Sequence, residues 1–427
     1  MNFRIRALLV GASLFAASLA MAAPSSQQLQ QLARQEQPAL LETLRALVQI
    51  ESGSKDVEGL AQLAGLIRSK LAALGGEVSL IEPTDLYRMD DTPPRVGSMV
   101  KAQFKGRGTK KLLLIAHMDT VYLKGMLHDQ PFRIDGNKAY GLAVADDKQG
   151  VATILHAVAL LRKAGIDDYG TLTVLINGDE EISSPGSRTT IARTAADQDM
   201  TLSFEAAGAD GGVRLATSGI GAAYLSVEGH ASHAGVRPEA GINALTELAH
   251  QLLQMQDLSE PDAGVKVNWT MAQAGTNRNV IPANATAQSD LRALRVADFD
   301  RVEREMQRRI QQRRVPDAKV QLKFEVRRPP LEATAASIAL ARRAQAIYGE
   351  IGLPMKVVEL ATGGGTDAAF AALHARGPVI EGLGLTGFGA HSNDAEYVDI
   401  GTIAPRLYLI ARLIMDVCAG RQFLAGR

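Results

Sequence analysis

Lys111-Leu-Leu-Leu-Ile-Ala-His-Met-Asp119 is a continuous apolar run that ends in a histidine and an acid. A short run that is apolar at every position, not at alternate ones, fits a strand buried on both faces of a mostly parallel sheet. Ligands of open α/β sheets collect at the carboxyl ends of strands, so His117 emerges where a site belongs. Residues two apart on a strand face the same way, which lets Asp119 hydrogen-bond the second ring nitrogen of His117 and fix its tautomer. Thr171-Leu-Thr-Val-Leu-Ile-Asn177 repeats the pattern and runs into Asp179, Glu180 and Glu181, and Thr201-Leu202 leads into Ser203-Phe-Glu205. Adjacent glutamates ordinarily mark a solvated turn. After a buried strand their side chains diverge, so one can hold a metal while the other faces substrate.

Between the first two strands lies Gly141-Leu-Ala-Val-Ala-Asp-Asp-Lys-Gln-Gly150, followed by an apolar helix from Val151 to Leu161. An acidic pair before a helix is most often an N-cap. The alternative is that Asp146 bridges two cations, and the other strand-end acids and histidines favour it. Two Gly-rich loops come late in the chain. Thr362-Gly-Gly-Gly-Thr-Asp367 can bring backbone amides to an anion ahead of a helix beginning at Asp367, and Gly387-Phe-Gly-Ala-His391 carries a candidate last ligand.

The 427 residues suffice for two domains, and 46 basic residues balance 46 acidic ones. No basic run suggests nucleic acid, and the composition, rich in Ala and Gly and poor in aromatics, fits a helix-rich α/β protein. Arg4 and Arg6 precede the apolar run Ala7 to Met21, and Ala20-Met-Ala22 has the small-residue cleavage pattern, so residues 1–22 read as a signal peptide and the mature chain as periplasmic or secreted. The run is short for a bilayer span, and no later segment is apolar enough for one. The single cysteine, Cys418, excludes an internal disulfide.

Residues 23–217 read as the first part of a catalytic domain. It opens with amphipathic helices over Gln27 to Val48, kinked or restarted at Pro38, and Val57 to Leu74, stopped at Gly75-Gly76. Residues 218–328 change pattern to strand, helix, two strands, helix, strand: Ala222 to Glu228, Ile242 to Gln256, Val265 to Ala274, Asn279 to Leu294, Ala297 to Arg313 and Val320 to Arg327. That βαββαβ order predicts a ferredoxin-like α+β unit inserted into the first domain. Residues 329–420 return to the catalytic domain with helices Ala335 to Gly349, N-capped by Thr334, and Ala404 to Met415.

Ala116-His-Met-Asp-Thr-Val-Tyr-Leu-Lys-Gly125, Ala145-Asp-Asp-Lys148, Asp179-Glu-Glu181, Ser203-Phe-Glu205, Ala231-Ser-His-Ala-Gly235, Thr362-Gly-Gly-Gly-Thr-Asp-Ala368 and Ala395-Glu-Tyr-Val-Asp399 occur in an order and spacing that resemble the dinuclear zinc exopeptidases of the aminoacylase and carboxypeptidase clan, in particular their glutamate carboxypeptidases. The resemblance runs from about Glu36 to Ala419. It implies a zinc exopeptidase-like catalytic domain with a lid and dimerisation domain inserted, two zinc ions per subunit, and a homodimer. By the same resemblance Asp146 is shared by both ions, His117 and Glu205 complete one site, Glu181 and His391 complete the other, and Glu180 is the general base. Carboxylate and imidazole ligands suit zinc, and paired ions can polarise a carbonyl and activate water together. The Asp146–Asp147 peptide is implied to be cis. His233 is implied to reach across the dimer to the oxyanion, while Arg292, Asn279 and the loop at Gly364 hold a substrate carboxylate. Read without the resemblance, Arg292 is an ordinary surface charge and His233 a loop or capping histidine.

Three departures from the family pattern stand out. Gln149 replaces a usual glycine, Ala206 replaces a frequent proline, and the stretch from Ala206 to Thr217 is one residue shorter and lacks a lysine that reads the glutamate side chain; Arg214 is the nearest substitute. The expectation is a zinc-dependent carboxypeptidase that removes glutamate from folate-like or N-acyl-glutamate substrates. The rival expectations are another acyl-amino-acid hydrolase or dipeptidase of the clan, and a non-catalytic metal or peptide binder.

Overall fold

The computed structural model of the chain describes residues 24–208, 211–361, 363–392 and 396–421. The signal-peptide reading of residues 1–22 lies outside the described residues, as do Thr362 of the first Gly-rich loop and residues 393–395.

Six strands form the central sheet, in the spatial order Glu77–Ile81, Met99–Lys105, Thr171–Asn177, Lys111–His117, Met200–Ser203, Val379–Ile380. From Thr171–Asn177 onward all pairings are parallel, and Met99–Lys105 runs against its two neighbours. The three strands that end in candidate ligands are therefore adjacent, and their carboxyl ends open on one edge of the sheet. Lys111–His117 is buried at every position after Lys111, which explains why its sequence is apolar without alternation. Helices Ser26–Val48, Gln149–Lys163 and Ile403–Cys418 cover one face, burying Leu40, Leu44, Ile154, Leu407 and Ile410 among others.

The helix does not restart at Pro38: one helix, Ser26–Val48, contains that residue. The missing amide of proline is offset by packing on both sides of it: Leu40 and Leu44 sit in the core, and one turn earlier the buried Glu36 accepts from His156 Nδ1 at 2.8 Å.

The second sheet is antiparallel, ordered Lys266–Ala274, Asn284–Ala293, Gly219–Glu228, Lys319–Arg328, with helices Ala244–Leu253 and Val296–Arg309 packed on it around a separate core. Each strand is antiparallel to its neighbour and the first strand in the chain is central, which is the ferredoxin-like arrangement. Its third strand starts at Asn284 and not at Asn279; Asn279 lies in the preceding turn, because Pro282 interrupts the ladder there. The last strand ends at Arg328, where the chain returns to the first domain.

Candidate metal centre

Of the acidic pair, Asp147 and Asp146 take different tasks. Asp147 Oδ1 accepts from Gly150 N (3.2 Å) and Gln149 Nε2 (2.7 Å), so it caps the helix Gln149–Lys163. Asp146 has extended backbone (φ −128°, ψ 91°), follows the left-handed Ala143 by three residues, and precedes a cis peptide to Asp147. Its carboxylate faces two histidines. Oδ1 lies 3.0 Å from His117 Nε2, and Oδ2 lies 3.2 Å from His391 Nε2. Glu205 Oε1 is 3.3 Å from the same His117 nitrogen, and Glu181 Oε2 is 3.1 Å from the same His391 nitrogen. Two donor sets result, with donor atoms within 4.8 Å of one another: His117, Glu205 and Asp147 in one, and Asp146, Glu181 and His391 in the other. Through Oδ1, Asp146 also faces the first set. Asp147, given no metal role by the sequence, stands as near to His117 and Glu205 as a ligand would.

This cluster fits cations. Glu181 Oε1 and Asp147 Oδ2 are buried with no hydrogen-bond partner among the described residues, and carboxylates outnumber imidazoles in both donor sets taken together. Burial pushes the Glu205 carboxyl up to about 7 against the pull of His117, and burial with Asp146 beside it raises Glu181. Burial also opposes charge on Asp146, but hydrogen bonds from His117 and His391 hold it well below the usual carboxylate range. The same bonds from Asp146 and Glu181 lift His391 to about 11. The shifts diverge: burial drives Glu205 and Glu181 toward the neutral form, whereas Asp146 and its histidine partners favour one another's charged forms. Imidazole with carboxylate is a donor set that zinc accepts.

Asp119 is fully buried, but its main task differs from the one expected. His117 Nδ1 lies 3.0 Å from the Asp119 backbone carbonyl and 3.4 Å from its carboxylate. The carboxylate instead accepts from the backbone N–H of Glu180 (2.9 Å) and Glu181 (3.1 Å) and from Ser54 Oγ (2.7 Å). Two consecutive amides aimed at one carboxylate set the turn from which Glu180 and Glu181 diverge.

Glu180 is not within hydrogen-bond reach of either histidine. Its Oε1 meets Arg328 Nη2 at 2.9 Å, and the same guanidinium holds the Glu180 carbonyl (2.7 Å) and Asp367 Oδ1 (2.9 Å). Burial pushes the Glu180 carboxyl well up, and Arg328 works against that. The sequence gives Arg328 no role and places Asp367 only at a helix start. An Arg-Arg pair at a strand end carries no signal that one member turns inward.

Glu396 also escaped assignment. It is buried, and its Oε1 accepts from Ala145 N (2.7 Å) and Asp146 N (3.0 Å) while Oε2 takes the Tyr122 hydroxyl, which also donates to Ser392 O at 2.9 Å. One carboxylate and one phenol thus tie the Asp146 backbone to the loop bearing His391. Gln149 fills its space in the same manner, bonding Asp147, Phe204 O (3.0 Å) and Leu385 N (2.5 Å).

A cavity of about 380 Å³ opens over the cluster, lined by Asp146, Glu180, Glu181, Glu205, Arg214, Gly364 and His391 among others. Arg214 Nη1 is anchored on Ala206 O at 2.9 Å. The first Gly-rich loop borders this cavity at Gly364 and Gly365. Gly364 O accepts from Ser218 N, Gly363 O accepts from Arg292 Nη1, and the following helix Ala368–Ala372 is a single turn headed by the buried carboxylate of Asp367. Arg292 is in addition paired twice with Asp290 at 2.9 Å. His233 and Asn279 are neighbours on the exposed rim of the second domain, joined by the His233–Val280 bridge and an Ala234 N to Asn279 O bond of 3.0 Å. Neither lines the cavity of its own chain. His233 Nδ1 accepts from Gly235 N and Val236 N (3.1 Å each), which leaves Nε2 to carry the proton of the neutral ring.

Residues 113–416 match the model of peptidase family M20/M25/M40. Carboxypeptidase G2 of Pseudomonas sp. (strain RS-16) is 46% identical over 411 residues, 96% of this chain and 97% of its own. That relative is a glucarpidase. Among solved structures, a metallo-carboxypeptidase of family M20 from Sulfolobus solfataricus has a TM-score of 0.69 at 14% identity and covers 88% of this chain and 98% of that one. A dinuclear metal-binding peptidase of family M20 from Bacillus subtilis has a TM-score of 0.65 at 17% identity and covers 90% and 99%.

Proposed function

Because this chain belongs to peptidase family M20/M25/M40 and is a metallopeptidase of the carboxypeptidase kind, we propose that it holds two zinc ions and hydrolyses the amide bond to a C-terminal glutamate in folate-like or N-acyl-glutamate substrates. The observation that carries this reading is the Asp146 carboxylate, whose two oxygens meet two histidines of different origin at 3.0 and 3.2 Å. His117 and Glu205 would hold one ion, Glu181 and His391 the other, and Asp146 both. Ions so held supply Lewis acidity to the scissile carbonyl and lower the pKa of a water.

The chain's own groups do the rest. Glu180, free of both histidines and fixed by Arg328, takes a proton from the attacking water on its carboxylate and returns it to the leaving amine. Nε2–H of His233, supplied by the second subunit of a homodimer, donates to the developing oxyanion. The exposed edge strand Lys266–Ala274, with Met271 56% exposed, supports pairing of two lids. Arg292, Asn279 and the loop at Gly364 receive the α-carboxylate, which competes with Asp290 for the Arg292 guanidinium. Arg214, the cation on the cavity wall, reads the glutamate side chain. Residues 1–22 direct export, which the N-terminus of the mature protein tests.

The decisive assay uses zinc-loaded protein against folate, methotrexate and acyl-glutamates beside neutral acyl-amino acids. Release of glutamate in preference to neutral residues is expected, with Arg214→Ala erasing the preference; equal rates on neutral substrates overturn the glutamate assignment. Glu180→Gln keeps its zinc and loses about 10²- to 10⁴-fold in kcat. A wild-type protein that is inactive with full zinc would instead be a binder.

A further inference from the structure

Arg328 belongs to the last strand of the second domain, yet it grips Glu180 in the first. The register explains how it gets there. Lys319–Arg328 slips by one residue against Gly219–Glu228 between Val326 and Arg328, so Arg327 is an extra residue, a bulge that bends the strand and re-aims Arg328 inward. We infer that residues 82–98, the loop between the first two strands of the chain, act as a strap that holds this strand end by a ladder of alternating charges, Asp90–Lys323–Glu325–Arg327–Asp91, and thereby positions the base Glu180 through Arg328. The inference rests on the general-base role proposed for Glu180 above and adds two positioning residues, Asp91 and Arg327, to that site.

Lys323, Glu325 and Arg327 recur at alternate positions of the strand, and Glu325 between them stands 2.7 Å from the Lys323 ammonium and 3.4 Å from the Arg327 guanidinium. Both cations reach the strap. Lys323 Nζ is 3.6 Å from Asp90, and Arg327 Nη2 donates to the two oxygens of Asp91 at 2.7 and 2.9 Å. An isolated ion pair in solvent contributes little, but the middle of this ladder is shielded, with the Glu325 side chain 4% exposed and that of Arg327 14% exposed. The strap is itself fastened beside the turn that carries the base: Tyr87 N donates to Pro185 O at 2.9 Å, and the Tyr87 ring lies 4.0 Å from the Arg188 guanidinium. Arg188 completes the circuit. Its Nη2 donates to Arg327 O at 2.6 Å and to Ser183 O at 2.5 Å, three residues beyond Glu180. Arg327 is thus held by its side chain to the strap and by its carbonyl to the turn after Glu180, and a strand end released from Asp91 carries the adjacent Arg328 with it.

The test uses the full-length zinc-loaded enzyme with folate as substrate and a double variant, Asp90→Asn with Asp91→Asn, both exposed positions. Its kcat is expected to fall at least about fivefold, the effect of one well-placed ion pair, while KM and zinc content move by less than about twofold. Asp91→Glu alone, which keeps the charge, retains kcat. In the Arg328→Lys background the double change should lower kcat no further, because the route to Glu180 is already cut. An unchanged kcat, equal losses in both backgrounds, or a loss confined to KM overturns the inference while leaving the hydrolysis intact. Hydrogen exchange supplies a readout independent of turnover: the amides of residues 180–184 should exchange at least about threefold faster in the double variant, and unchanged exchange overturns the inference. If wild type releases no glutamate, the proposed hydrolysis itself fails, and the exchange measurement alone decides the strap.

Discussion

His117 is 2% exposed and stands at the end of a central strand, whereas His391 is 55% exposed and stands on a loop in left-handed backbone (φ 64°). The two halves of the acid cluster share Asp146, but they are assembled by different physics. The half with His117 and Glu205 is placed by adjacent parallel strands whose register is set by the buried core. The half with His391 depends on hydrogen bonds between loops: Tyr122 to Ser392 O, and Glu396 to the amides of Ala145 and Asp146. A site resting on strand ends is pre-formed, and one resting on a loop is adjustable. The difference teaches that the two ions of the proposed reaction should be held with unequal strength.

Removing the shared group attacks both halves at once. Asp146→Ala is expected to reduce metal content in both and to lower kcat/KM by at least about 10³-fold, since metal ions contribute several kcal/mol to the transition state. Retention of two metal equivalents would show that Asp147 takes over the bridge. Next in size is the contrast between His391→Ala and His117→Ala. During titration with a chelator, His391→Ala should keep one tightly held equivalent, and His117→Ala should keep only a weakly held one. Equal loss in the two variants would abolish the distinction between the halves. Glu396→Ala tests the ties and not the ligands: metal affinity is expected to fall about 10- to 100-fold, with activity regained in excess zinc, and Tyr122→Phe to fall by less.

The smallest effect lies far from the cluster and separates acid unfolding from metal loss. Burial opposes charge on Glu36, but Lys163 and His156 outweigh it and hold its carboxyl below the ordinary 4.5, while burial holds His156 below 6.5. In both cases the unfolded chain binds protons first as pH falls. Their contribution is therefore present above about 6.5, starts to decline below it as unfolded His156 protonates, and is lost further below 4.5 as Glu36 is titrated. Melting temperature of metal-free protein followed from pH 8 to pH 4 should show this decline, and Glu36→Gln should flatten its acid limb.

Much of the architecture is legible in the residue order because it depends on local periodicity. Runs apolar at every position read directly as interior strands, and the βαββαβ pattern of the inserted domain reads from alternation and from helical spacing, with ends displaced by a few residues, as at Asn279. Pro38 does not end the first helix, because tertiary packing outweighs one missing backbone bond. Asp147 and Asp146 show the limit within a single dipeptide. The helix that follows makes one of them a cap, and nothing local says which one turns toward the histidines.

What the residue order determined by itself is which chemistry is available and roughly where: acids and a histidine at the ends of buried strands, a second histidine in a glycine-rich loop, a basic-to-acidic balance that excludes bulk-charge partners. Strand burial and side-chain alternation are short-range properties, so they survive in one dimension. Tertiary structure alone decided that His391 meets Glu181 across 210 positions, that Arg328 turns inward to grip Glu180 and Asp367, and that Glu396 steadies the Asp146 backbone. Those contacts join segments far apart in the chain, and only the close packing of the folded core sets their distances.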